Sequence, residues 1–128
     1  MDRKTYNAFV IFQQGELDAV YMYRKLAEIA KTPEEKEAFL EAAKDEGKHA
    51  AILSKYTGKN LKPGEALGNM VQKLYKFMPR RISLFGVAQG EYIGGKGYRP
   101  YIADYPELER VMFDEYKHGD KMKSLSKK

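Results

Sequence analysis

A duplication constrains this chain more than any other feature. Gly15-Glu16 is followed, seven residues after the glutamate, by Tyr23, and Gly90-Glu91 is followed at the same interval by Tyr98. Further on, Asp45-Glu46-Gly47-Lys48-His49 is answered by Asp114-Glu115-Tyr116-Lys117-His118. Self-similarity on this scale marks one structural unit used twice. The chain has only two histidines, and both occupy the same slot of the repeat.

The repeated unit reads as a helical hairpin. Phe9, Phe12, Val20, Tyr23, Ala27 and Ala30 recur at three- and four-residue steps, which predicts a helix over about residues 3–31 with one apolar face. Thr32 caps the next helix, Pro33 suits its first position, and Glu35 is placed to close a capping box. That helix is expected over about 33–57, with Phe39, Ala42, Leu53 and Tyr56 inward and Gly58 ending it. Residues 58–78 form a crossover whose second half, EALGNMVQKLYKF, has the pattern of a short amphipathic helix. Pro79 either kinks this helix or opens a new one. A third long helix is expected over about 79–97, with Leu84, Phe85 and Ala88 inward and an end weakened by Gly94, Gly95 and Gly97. A fourth follows over about 106–123, with Leu108, Val111, Met112 and Met122 inward, and KSLSKK is expected to fray. The fold class is therefore all-α: an antiparallel four-helix bundle made of two helical hairpins and one long crossover containing a short helix, the ferritin-like connectivity. Residues 1–128 are expected to form a single domain.

Spacing supplies the chemistry. Residues three apart share a helix face, so Glu46 with His49, and Glu115 with His118, each converge on a point. Both pairs continue an apolar stripe, as do Glu16 between Phe12 and Val20 and Glu91 beyond Leu84 and Ala88. Four carboxylates and two imidazoles would thus face the core. Burying one unpaired carboxylate costs several kcal/mol, whereas two divalent cations make the set neutral. Carboxylate and imidazole donors without sulfur favour iron or manganese over a structural zinc. Taken singly, each Glu-x-x-His is an unremarkable helix-surface pair; symmetry and common inward phase make metal the better reading.

Composition removes other classes. With no cysteine, disulfides, thiolate catalysis, iron–sulfur clusters and thiolate-bound zinc are excluded. A net charge of +5 is modest, and no basic run is interleaved with base-stacking aromatics, so nucleic acid is not expected as a partner. The segment MDRKTYNAFV has no signal-peptide core, and no apolar run approaches the ~20 residues of a membrane span, so a cytoplasmic location is expected.

From GELDAVYMY through KDEGKHAAIL to GEYIGGKGY and FDEYKHGDKM, the chain resembles the rubrerythrin branch of the ferritin-like superfamily. The resemblance implies two iron ions, or manganese in their place, held by Glu16, Glu46, His49, Glu91, Glu115 and His118. It further implies that Asp45 holds His118 and Asp114 holds His49, fixing tautomer and ring direction. Tyr23 and Tyr98 lie on the ligand faces, placed for hydrogen bonds near the site or for core packing. Two departures stand out. Rubrerythrins proper carry a cysteine-bound rubredoxin centre, so electrons here would come from a separate rubredoxin-like donor. They also carry a second glutamate three residues beyond the one on the third helix, where this chain has Gly94.

The resemblance implies reduction of hydrogen peroxide or dioxygen at the two-metal site. Ferritin-like iron oxidation, storage or hand-over is the alternative, and a docking bundle with a structural metal site is another. Residues 65–86 combine Met70, Leu74, Phe77 and Leu84 with Lys73, Lys76, Arg80 and Arg81. This stretch is expected to pack its apolar side on its own bundle rather than on a membrane. Dimerisation is expected for so small a bundle.

Overall fold

Helix-forming sequence punctuated by capping residues yields helices joined by short turns, and a computed structural model describes all residues, 1–128, in these terms. Five α-helices, α1 (Arg3–Glu28), α2 (Pro33–Thr57), α3 (Ala66–Phe77), α4 (Arg80–Tyr98) and α5 (Leu108–Ser126), account for most of the chain. A single 3-10 turn over Arg99–Tyr101 follows α4, and there are no strands. The chain divides into two compact units, Met1–Lys73 and Leu74–Lys128.

In the first unit α1 and α2 pair antiparallel. Along α1, Phe9 meets Tyr56, Glu16 meets His49 and Tyr23 stacks on Phe39, so contacts climb one helix while descending the other. Asp2 caps α1 by accepting from the Thr5 amide at 2.7 Å. Thr32 caps α2 by accepting from the Glu35 amide at 3.1 Å, with Pro33 in the first turn. Gly58 ends α2 at φ 67°, a left-handed conformation that glycine adopts without a Cβ clash. Phe9, Tyr23, Leu26, Phe39 and Leu53 are fully buried between the two helices' apolar stripes.

The crossover is tied to α1 rather than slack. Gln13 donates to the Lys59 carbonyl at 2.9 Å, and Gln14 donates to that of Lys62 at 2.8 Å. Asp18 accepts from the Gly64 amide at 2.6 Å, Tyr21 donates to Asn69, and Gln72 donates to the Lys25 carbonyl. Both partners rise in number together, so residues 59–72 travel parallel to α1. Gly68 lies against the Tyr21 ring, where a Cβ would come within 2.5 Å of it.

The second unit repeats the antiparallel pairing with α4 and α5, Tyr92 lying against Gly119 and Tyr116 against Gly95. Leu84, Ala88, Glu91, Gly95 and Tyr98 form the buried stripe of α4. Pro79 opens α4 rather than kinking α3.

Four expectations need correction. The first helix stops at Glu28, not near residue 31, because Ile29 leaves the helical region at φ −119° and its amide turns back to Ala27 and Leu26. Phe85 is half exposed rather than inward: it lies one residue, about 100°, off the 84–88–91–95 stripe. The segment KSLSKK is helical through Ser126, because Leu125 is fully buried and anchors the last turn. The crossover helix α3 turns Leu67, Met70, Leu74 and Phe77 to solvent instead of packing them; its buried side chain is Tyr75.

Candidate metal centre

Within the first unit, α1 supplies Glu16 and α2 supplies Glu46 and His49. Glu16 falls in the 9–13–16–20–23 stripe of α1, the phase that points into the hairpin. Glu46 and His49 are one helical turn apart on α2. His49 Nδ1 lies 3.2 Å from Glu16 Oε1 and 3.2 Å from Glu46 Oε1. Within the second unit, α4 supplies Glu91 and α5 supplies Glu115 and His118, and His118 Nδ1 lies 3.1 Å from Glu91 Oε2. In each unit the three ligand atoms lie within 4.8 Å of one another. All six residues are at most 6 % exposed.

Such a trio suits a cation. Two carboxylates and one imidazole nitrogen converge where little water reaches, and their negative charge is costly there unless a positive charge offsets it. A divalent ion binding the same three atoms supplies that charge. The donor set, nitrogen and oxygen without sulfur, is the one iron and manganese accept.

The remaining predicted residues are less tightly placed. Asp45 and Asp114 are partly exposed, each preceding a buried ligand glutamate. Tyr23 and Tyr98 are buried two turns beyond Glu16 and Glu91, and Tyr23 stacks on Phe39 with ring centroids 6.2 Å apart, which is core packing.

Several polar neighbours escape a reading of the sequence. Gln13 is buried one turn before Glu16; it accepts from the Thr57 hydroxyl at 2.5 Å and donates to the Lys59 carbonyl. Its place in the α1 stripe was the available signal. Tyr116, next to Glu115, has a buried hydroxyl without a hydrogen-bond partner. Tyr92 donates to Asp120 at 2.5 Å; that bond, aided by burial and the aspartate charge, pushes the phenol up to about 12. At Gly94, which is exposed, a Cβ would lie 3.4 Å from Glu115 Oε2, so this position borders a ligand carboxylate.

Compared with known proteins, residues 13–125 match the family model described as Rubrerythrin, a span that includes all six candidate ligands. No match was found among curated proteins or among solved structures.

Proposed function

This chain belongs to the rubrerythrin family, and from that premise we propose that it is a non-haem di-iron oxidoreductase that reduces hydrogen peroxide or dioxygen with electrons from a separate donor. Members of the family typically bind iron and are generally di-iron oxidoreductases. The observation that carries the reading is the pair of buried trios, each with an imidazole Nδ1 3.1–3.2 Å from a carboxylate oxygen.

In this reading Glu16, Glu46 and His49 of the first unit, and Glu91, Glu115 and His118 of the second, are the ligands of two iron ions. Bound iron supplies one-electron redox chemistry toward a small oxidant. The protein's part is to keep the site in place and dry. Helix spacing fixes Glu46 against His49 and Glu115 against His118, so the donors are organised before an ion arrives. The carboxylates also offer oxygens that can pass on to the oxidant the protons its reduction consumes. Gly94 leaves the approach to Glu115 Oε2 clear for a small oxidant.

Elemental analysis of protein from iron-replete cells tests the central point. About two iron atoms per chain are expected, with a clear loss in Glu46→Ala. Peroxide consumption by the reduced, loaded protein should outpace free ferrous iron at equal concentration. Equal rates would sink the oxidoreductase reading while leaving the metal centre standing.

A further inference from the structure

Four exposed large apolar side chains gather on α3. Leu67, Met70, Leu74 and Phe77 fall within an arc of about 80° on this helix, and Phe77 is 79 % exposed. Tyr75 and Gly68 lie on another face and are buried. The helix therefore has two apolar sides, one used by the fold and one left in water, an arrangement that soluble surfaces rarely keep without a use.

Charge identifies what would cover it. Residues 66–90 contain no aspartate or glutamate. Lys73 and Lys76 on α3, and Arg81 at the start of α4, are exposed beside the stripe. Long basic side chains flanking a line of Leu, Met and Phe suit an interface that is apolar inside and anionic at its rim. A ridge of this kind needs no complementary groove in its partner when the partner is fluid. A second copy would bring an equally acid-free, positive segment against the first, so like charges would oppose that pairing.

We propose that α3 docks this protein on anionic lipid surfaces, the stripe from Leu67 to Phe77 entering the headgroup boundary and Lys73, Lys76 and Arg81 engaging lipid phosphates. No helix is long and apolar enough to cross a membrane, so the association is peripheral. It does not depend on the metal centre.

Flotation of the full chain with vesicles tests this, comparing zwitterionic phosphatidylcholine with a mixture holding about one-third phosphatidylglycerol. Binding to the anionic vesicles alone is expected, with loss near 1 M salt, where the screening length falls to about 3 Å. Phe77→Ser and Leu74→Ser should each weaken partitioning about tenfold, and neutralising Lys73, Lys76 and Arg81 to glutamine should cost about fivefold per residue. All these positions are exposed, and unchanged thermal melts and iron content would show that the variants fold. Failure to float with anionic vesicles, or equal binding to neutral ones, overturns the proposal. So does a dimer in sedimentation that Leu74→Ser and Phe77→Ser dissolve without any vesicle binding, which would make the stripe a self-association face. Retention on immobilised polyglutamate without vesicle binding would assign it instead to an acidic protein.

Discussion

The two hairpins present the same trio, two glutamates and one histidine, yet pack around it in opposite ways. In the first, Val20 on α1 faces Gly47 on α2, where a Cβ would stand 3.9 Å from the valine, an ordinary contact. At the corresponding places of the second, glycine and bulk are exchanged: Gly95 on α4 lies under the ring of Tyr116 on α5, and a Cβ there would come within 2.7 Å of it. One turn away the sides are kept, Tyr92 on α4 covering Gly119 on α5 where the first hairpin has Leu17 and Ala50. Interhelical distance depends on the joint volume of facing residues, so a large residue can change sides without moving the helices apart. Positions that must supply a carboxylate or an imidazole have no such freedom. The hairpins also differ in polar wiring: Gln13 ties α1 to Thr57 and Lys59, whereas the matching position of the second hairpin is Ala88.

The sharpest way to break this comparison is to put the first hairpin's residue into the second. Gly95→Val drives two methyls into the Tyr116 ring and should cost about 3 kcal/mol of stability. Adding Tyr116→Gly, which completes the first hairpin's pairing, should recover more than half of it in thermal or urea unfolding. Strict additivity of the two changes would mean the exchange is not a compensation. Next, Gln13→Ala should cost about 2 kcal/mol, because it strands the buried Thr57 hydroxyl and the Lys59 carbonyl as well as leaving a void. A neutral result would show that water replaces the amide. A smaller effect of opposite sign is expected from Tyr116→Phe, which removes a buried hydroxyl with no partner and should stabilise the metal-free chain by about 1 kcal/mol. The smallest concerns Tyr92, whose phenol is held up to about 12 by Asp120. Its folded-state value lies above the ordinary 10, so its contribution is intact below pH 10 and fades as pH rises through 12. Ultraviolet titration of the parent beside Asp120→Asn should show one tyrosine ionising earlier in the variant.

How much of this was legible in the sequence depended on the range of the responsible interaction. The start and end of α2 follow from Thr32, Pro33 and Gly58, whose effects act within a few residues. The burial of all six candidate ligands was legible because the repeat and the helical period both place them inward. What escaped was set by distant partners. Leu125 holds the final turn in place through burial, which nothing in KSLSKK announces. Phe85 looked like core on hydrophobicity alone, though the spacing of Leu84, Ala88 and Glu91 already assigned it another face. The exchange of Val20 and Gly47 for Gly95 and Tyr116 was visible in the aligned repeats, but its meaning needed the two helices side by side. The outward stripe of α3 carried a true periodicity and no indication of which apolar side the fold would use.

The rungs between α1 and the crossover have a consequence for how this chain tolerates change in length. Loops usually absorb extra residues with little penalty. Here Lys59, Lys62, Gly64, Asn69 and Gln72 meet successive partners on a rigid helix. One residue inserted after Lys62 would throw every later rung out of step, much as a skipped tooth misaligns a zip. The longest non-helical stretch of the molecule is thus a measured spacer, and room for insertion is better sought in the turn between α4 and α5.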